Sequence, residues 1–347
     1  MTGVAAPTLR ARNAARLMAQ AEASGSAKPF DQIPAIDIEA LFEDDERARR
    51  KVAAEMRAAC LEVGFFYVKN HHVDPKVYEG GFDAARRFFD LPQAEKDAVS
   101  NRHSPVMRGY TSLLEENTDP DNDGDLHEAF DASLDLSPDD PDCALGIYGW
   151  GVNIWPACPG FREQVMAYHS ALQSLSEVLY RAFALSLDLP EDEFAPLLKK
   201  PIAELRLLHY PPQDAQSEEK VIGIGSHSDY SVFTILATDD VPALQVMNPA
   251  GDWVDVPPMS VAFIVNVGDL LQRWTNDLYR STVHRAINVT GQRRYSIPFF
   301  SNINPLETFE VLPSCITEDR PARYAPIGAA AYVEACMQDA YGLTQTS

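Results

Sequence analysis

His227-Ser-Asp229-Tyr, read with His284 and with Arg294-Tyr-Ser296-Ile-Pro-Phe-Phe300, is the stretch that decides the architecture. Residues 227 and 229 are two apart, and on a β-strand such residues share a face. His284 follows Asp229 after 55 residues, enough for several strands to fold back and deliver a third side chain to the same place. Two imidazoles and one carboxylate can take one face of an octahedral Fe(II) and leave three positions open for substrate chemistry and O2. A bare His-x-Asp arises often by chance, and alone the three residues would read as a core histidine, a surface histidine and a turn aspartate. The surrounding text has to carry the assignment.

Residues 204–312 run as short β-branched and aromatic segments separated by Pro, Gly, Asn and Asp, the pattern of an all-β sandwich or barrel. Ahead of them, Val52, Met56, Ala59, Cys60 and Val63 keep a 3.6 period that predicts a helix over 46–63, with Gly64 as its C′ residue. Phe65-Phe-Tyr-Val68 then reads as a strand. Phe82, Ala85 and Phe89 predict a second helix over 80–90, ending at Leu91-Pro92. The longest helical stripe runs over 160–187, and a final helix is expected over 328–340. Arg10, Arg12 and Arg16, with no acid before Glu22, share a feature of transit peptides, but the run stops at Gly25-Ser-Ala-Lys-Pro29 and reads as an accessory helix and linker.

Helices lead, strands follow and one helix closes. That order predicts a mainly β fold with flanking helices, a double-stranded β-helix (jelly roll, cupin-like) carrying an N-terminal helical module. The expected division is 1–30 for the N-terminal helix and linker, 31–200 for the helical module, 201–312 for the jelly-roll core and 313–347 for the C-terminal helix region.

A formal net charge of −22 argues against nucleic acid or an anionic membrane as partner, because both need a basic patch. Five scattered cysteines without a Cys-x-x-Cys pair read as reduced thiols in a cytoplasmic protein. No apolar run reaches the roughly 20 residues that a membrane-spanning helix needs. Asp119-Pro-Asp121-Asn-Asp123-Gly124 imitates the start of an EF-hand loop, but its twelfth position is Phe130, so the glutamate that such a loop requires is absent.

The motifs around the metal candidates agree in order with a known family. Arg206-Leu-Leu-His-Tyr210-Pro-Pro, Asn266-Val-Gly-Asp269, Ser281-Thr-Val-His284-Arg and Arg294-Tyr-Ser296 resemble the isopenicillin-N-synthase-like Fe(II)/2-oxoglutarate dioxygenases. Ile33-Pro-Ala-Ile-Asp37, Val63-Gly-Phe-Phe-Tyr67 and Arg87-Phe-Phe-Asp90 carry the same resemblance into the N-terminal half, so it spans most of residues 33–342. Residues 205–300 are most similar to the thymine-dioxygenase branch and related fungal and bacterial members.

The resemblance implies Fe(II) at His227, Asp229 and His284, with 2-oxoglutarate and O2 as cosubstrates. It implies that Arg294 and Ser296 hold the distal carboxylate of 2-oxoglutarate, with Tyr210 reaching the same group. A planar guanidinium suits that role because it meets a carboxylate bidentately. The implied reaction releases succinate and CO2 and oxidises a small organic molecule, with hydroxylation as the default outcome. By strand period, Phe300 shares a face with Arg294 and Ser296, and Arg206 and Leu208 share one with Tyr210. With Phe130 and Tyr110 they form the expected substrate pocket, fitted to a compact apolar or aromatic ring. Arg206 would offer that ring a polar contact, unless it pairs with a protein acid such as Glu204.

Departures limit the transfer. Leu208 stands where many members have Asn, and Pro242-Ala243 where many have a glycine pair. Ala203 stands where thymine dioxygenase has Asn, which argues against thymine as substrate. Two other readings stay open: an oxidase of the same fold that does not consume 2-oxoglutarate, and a catalytically silent small-molecule receptor.

Overall fold

The computed structural model describes residues 29–118, 124–213, 223–288 and 290–340. The accessory helix expected before residue 29 and the EF-hand-like run over 119–123 lie outside the described residues.

Twelve strands build two sheets that enclose a cavity. In chain order they are β1 (Ala35–Asp37), β2 (Phe65–Lys69), β3 (Gly109–Thr111), β4 (Glu128–Ala132), β5 (Ala203–Tyr210) and β6 (Ile224–His227), then β7 (Phe233–Thr238), β8 (Leu244–Met247), β9 (Trp253–Asp255), β10 (Phe263–Val267), β11 (His284–Ala286) and β12 (Arg294–Ser301). The large sheet has the order β1-β2-β10-β7-β12-β5-β4-β3, and the small one β6-β11-β8-β9. Pairing is antiparallel except between β1 and β2. This is the expected mainly β fold with flanking helices, and its two sheets fit a jelly roll.

Three helices cover the outer face of the large sheet: α1 (Glu46–Glu62), α2 (Pro75–Phe89) and, after the short α3 (Gln93–Asp97), the long α4 (Phe161–Ser186). Asp45 caps α1 by accepting from Ala48 N–H, and Asp74 caps α2 by accepting from Lys76 N–H. The second helix starts five residues earlier than its apolar period implies. Pro75 occupies its first turn, and Gly80-Gly81 interrupts the stripe that the period would need. Gly81 is there for contact, since a Cβ on it would come within 2.5 Å of the Tyr168 ring on α4. Among the described residues two more α-helices follow, α5 (Asp269–Trp274) and α6 (Ala329–Ala340).

Because the large sheet is buried on both faces, its strands divide their side chains by parity. Leu205, Leu207, Phe233, Ile235, Phe263, Val265, Ile297 and Phe299 pack into the core shared with the helices. Their neighbours Glu204, Arg206, Leu208, Tyr210, Thr234, Asn266, Arg294, Ser296 and Phe300 line the cavity on the other side. Strands β1–β4, all from the part read as a helical module, hydrogen-bond into this same sheet.

Gly64 ends α1 with φ +79° and lets β2 start at once, its carbonyl accepting from Val267 N–H on β10. A Cβ there would lie 2.3 Å from the Arg280 carbonyl oxygen and 2.6 Å from Thr282 Oγ1. Gly64→Ala should therefore lower unfolding free energy by at least about 1–3 kcal/mol, the range for a forced backbone alone. Urea denaturation would measure it, and an unchanged midpoint would refute the packing described here.

Candidate active site

His227 is the last residue of β6 and His284 the first of β11, and the two are direct cross-strand partners. Their ring centroids are 4.3 Å apart. Asp229 lies two residues beyond the end of β6, not on the strand as its spacing implied. The turn nevertheless returns its carboxylate to the imidazoles, with Oδ1 at 3.6 Å from each Nε2. The Asp229 carbonyl accepts from Asp269 N–H at 2.8 Å, which fixes the turn against the start of α5.

The hydrogen bonds at the far sides of these groups decide what faces inward. His227 Nδ1 lies 2.8 Å from the Gly225 carbonyl and His284 Nδ1 3.1 Å from that of Thr282. A carbonyl only accepts, so each Nδ1 carries the proton and each Nε2 presents a lone pair. Asp229 Oδ2 accepts from Thr234 Oγ1 at 2.5 Å and Asn266 Nδ2 at 2.6 Å, leaving Oδ1 turned to the imidazoles. Burial pushes the Asp229 carboxyl up, but His284, His227 and the bonds from Asn266 and Thr234 outweigh it and hold the group below the usual carboxylate range. Three lone-pair atoms thus meet within 4.8 Å, an arrangement that could hold a metal ion. The donor set fits Fe(II). Thr234 and Asn266, which orient the carboxylate, went unread in the sequence, although Asn266 stands inside a motif already noted.

This cluster opens on a cavity with about 1070 Å³ of empty space including its mouth. At one end lies Arg294, 2% exposed. Its Nε donates to the Val241 carbonyl at 3.3 Å, Nη1 lies 3.5 Å from Ser296 Oγ, and its guanidinium stands 4.6 Å over the Tyr210 ring. Ser296 Oγ donates in turn to Tyr210 Oη at 3.4 Å. Among the described residues no carboxylate pairs with Arg294. Asp239 acts on the guanidinium only from beyond ion-pair distance, so this buried cation lacks a direct partner, and the arrangement favours an anionic ligand.

The register Arg294↔Tyr210 and Phe300↔Glu204 carries β5 and β12 from that end to the other. Leu208 and Phe300 line the cavity between them, as their strand period implied, and Val333 and Met337 of α6 border it too. Arg206 also lines it, but as a member of a buried ion network. Its Nε and Nη2 bond Asp131 at 2.7 and 3.1 Å, and Nη1 bonds Glu116 at 2.6 Å. The acid expected to pair with it, Glu204, bonds Arg108 instead at 2.7 Å.

Two expected substrate contacts lie elsewhere. Phe130 is fully buried against Phe88, Phe161 and Trp155 in the helix-side core. Tyr110 packs on Phe88 and donates to Glu128 Oε2 at 2.6 Å on that same side. The reason is parity. In β4 the cavity side belongs to Ala129 and Asp131, opposite Leu208 and Arg206, so Phe130 must face the helices. Ala203 likewise packs in the helix-side core, which removes the footing for excluding thymine on its account.

Family models match two stretches of the chain. The non-haem dioxygenase in morphine synthesis N-terminal model covers residues 33–158, and the 2OG-Fe(II) oxygenase superfamily model covers 202–303. The 2-oxoglutarate-Fe(II) type oxidoreductase hxnY of Emericella nidulans is 36% identical over 319 residues, 89% of this chain and 90% of that protein. A full-length Neurospora crassa protein, solved in complex with alpha-KG and thymine, aligns with a TM-score of 0.77 and 27% identity over 88% of this chain and 97% of its own. A 2OG-Fe(II) oxygenase family protein from Caulobacter crescentus gives a TM-score of 0.78 at 28% identity, over 89% and 99%.

If Asn266 orients the third ligand of a metal, Asn266→Ala should weaken Fe(II) binding by roughly ten- to a hundredfold, the usual cost of losing such a partner. Anaerobic titration of the metal-free protein would measure this, with circular dichroism confirming the fold. Unaltered affinity would remove Asn266 from the site.

Proposed function

The chain belongs to the 2OG-Fe(II) oxygenase superfamily, and from that premise we propose that His227, Asp229 and His284 hold its iron while Arg294, Ser296 and Tyr210 hold 2-oxoglutarate. The enzyme is a 2-oxoglutarate-dependent dioxygenase that uses Fe(II) and O2. When bound, Fe(II) supplies the activation of O2 that couples decarboxylation of 2-oxoglutarate, to succinate and CO2, with oxidation of a substrate. The observation that carries the residue assignment is the buried Arg294 guanidinium, without a carboxylate partner among the described residues, in the cavity that also holds the three lone-pair atoms. It supports a dioxygenase over an oxidase that has no use for the second anion. The protein's own residues bind and orient: Arg294 pairs with the distal carboxylate, Ser296 and Tyr210 fix the guanidinium, and Phe300 shields the reacting carbon from water.

The substrate is a small, largely apolar or aromatic molecule, held by burial against Phe300, Leu208, Val333 and Met337. Hydroxylation is the default outcome. Its five free cysteines and acidic composition support a cytoplasmic enzyme, and among the described residues no helix is long and apolar enough to cross a membrane.

Three variants test these roles. His284→Ala should abolish turnover and weaken metal binding, and retained succinate release would refute the ligand set. Arg294→Lys exchanges a planar fork for a point charge and loses one or two charge-assisted bonds of roughly 1.5–3 kcal/mol each. The KM for 2-oxoglutarate should rise about ten- to a hundredfold, while an effect on substrate KM alone would reassign Arg294 to the substrate. Phe300→Ala should raise substrate KM and release succinate without matching product. Fully coupled turnover at an unchanged KM would move the substrate elsewhere.

A further inference from the structure

A buried ion network runs along the β4–β5 wall of the cavity, from His127, whose ring centroid lies 5.9 Å from that of Tyr210, to Glu204 at the end away from Arg294. Four buried carboxyl groups gather there, Glu116, Asp125, Asp131 and Glu204, against three cationic side chains, Arg108, Arg206 and His127. His127 is already counted as charged. Its Nδ1 donates to the Gly223 carbonyl at 2.9 Å and its Nε2 to Glu116 Oε2 at 3.3 Å, both acceptors, so the ring carries two protons. Four against three leaves one negative charge in excess. Consistently, burial pushes Asp131 up even against Arg206, helped by the charges of Glu204 and Glu116.

Two polar groups that line the cavity have bonding capacity left. Glu116 is 5% exposed, and its Oε2 takes both Arg206 and His127, while among the described residues no donor meets Oε1. Asn302, 3% exposed, continues the cavity-facing parity of β12 beyond Phe300. Its Oδ1 accepts from Val232 N–H at 3.1 Å, which fixes the amide so that the NH2 group is the free end. Among the described residues that NH2 has no acceptor. The cavity therefore offers a ligand one anionic acceptor at Glu116 and one neutral donor at Asn302, with the Phe300 ring on the same lining.

We infer that this wall of the cavity selects its ring substrate through a nitrogen that bears a proton, with Glu116 as the specificity-determining acceptor, and that it excludes rings carrying a carboxylate. The Asn302 amide is left to donate to one acceptor atom of the same molecule. A protonated or N–H nitrogen satisfies Glu116 Oε1 and, where cationic, cancels the excess charge. A carboxylate would add to that excess in a site where charges are poorly screened.

This inference rests on the proposed placement of 2-oxoglutarate at Arg294, and the test separates the two. Anaerobic calorimetry on enzyme loaded with Fe(II) and 2-oxoglutarate would compare benzylamine, benzamide and benzoate. The amine and the amide should bind at least about tenfold more tightly than the acid, a difference of about 1.4 kcal/mol. Glu116→Gln should bring the three affinities close to one another while 2-oxoglutarate binding stays intact. Benzoate binding as well as benzylamine, or no binding of the amine and the amide, overturns the inference, and this needs only the wild-type protein. So does an unchanged ranking in a Glu116→Gln variant that still binds 2-oxoglutarate. Failure of the wild type to bind 2-oxoglutarate would instead count against the placement at Arg294.

Discussion

The pairing register of β5 with β12 is the constraint on which the rest depends. A sheet buried on both faces assigns every side chain to one of two environments, and a slip by one residue exchanges them all. With Arg294 opposite Tyr210 and Phe300 opposite Glu204, the cavity receives the guanidinium, the hydroxyls, the carboxylates and the aromatic ring. The intervening Leu205, Leu207, Ile297 and Phe299 go to the helices. The opposite register would turn Glu204 and Arg206 away from Arg108, Asp131 and Glu116, the partners they bond here. Polar satisfaction and apolar burial thus enforce the same register, and the site geometry follows from it.

The cavity gathers charges of both signs as a result. At one end a guanidinium is supported by a tyrosine ring and a serine, and along the β4–β5 wall Arg206 is engaged by Asp131 and Glu116. The cost is a set of buried charges that stabilise one another only while every partner is present.

Much of this was legible in the chain, and the limits were physical. The metal candidates and the Arg294-Tyr-Ser296 pair stand in local motifs whose spacing survives without knowledge of pairing. Phe300, Leu208 and Arg206 were placed on the cavity side because period 2 holds along one strand. Phe130 and Tyr110 were misplaced because parity across strands needs the β4–β5 register, a contact between residues roughly eighty positions apart. The Gly80-Gly81 pair hid the start of α2 for a similar reason, since Gly81 admits the approach of Tyr168 from another helix. Glu116 and Asn302 carry no local signal at all. One lies in a connecting segment and the other one residue past a strand end.

Thr234 and Asn266 belong to β7 and β10 of the large sheet, and they grip one oxygen of Asp229; His227 and His284 belong to β6 and β11 of the small sheet. An ion shared by these three side chains is consequently a rivet between the two sheets, fastened to both walls of the barrel. A ligand that binds only the folded chain adds RT ln(1 + [L]/Kd) to its stability. Here the three side chains are anchored in both sheets, so an ion bound to them would add its binding energy at the seam where the sheets meet.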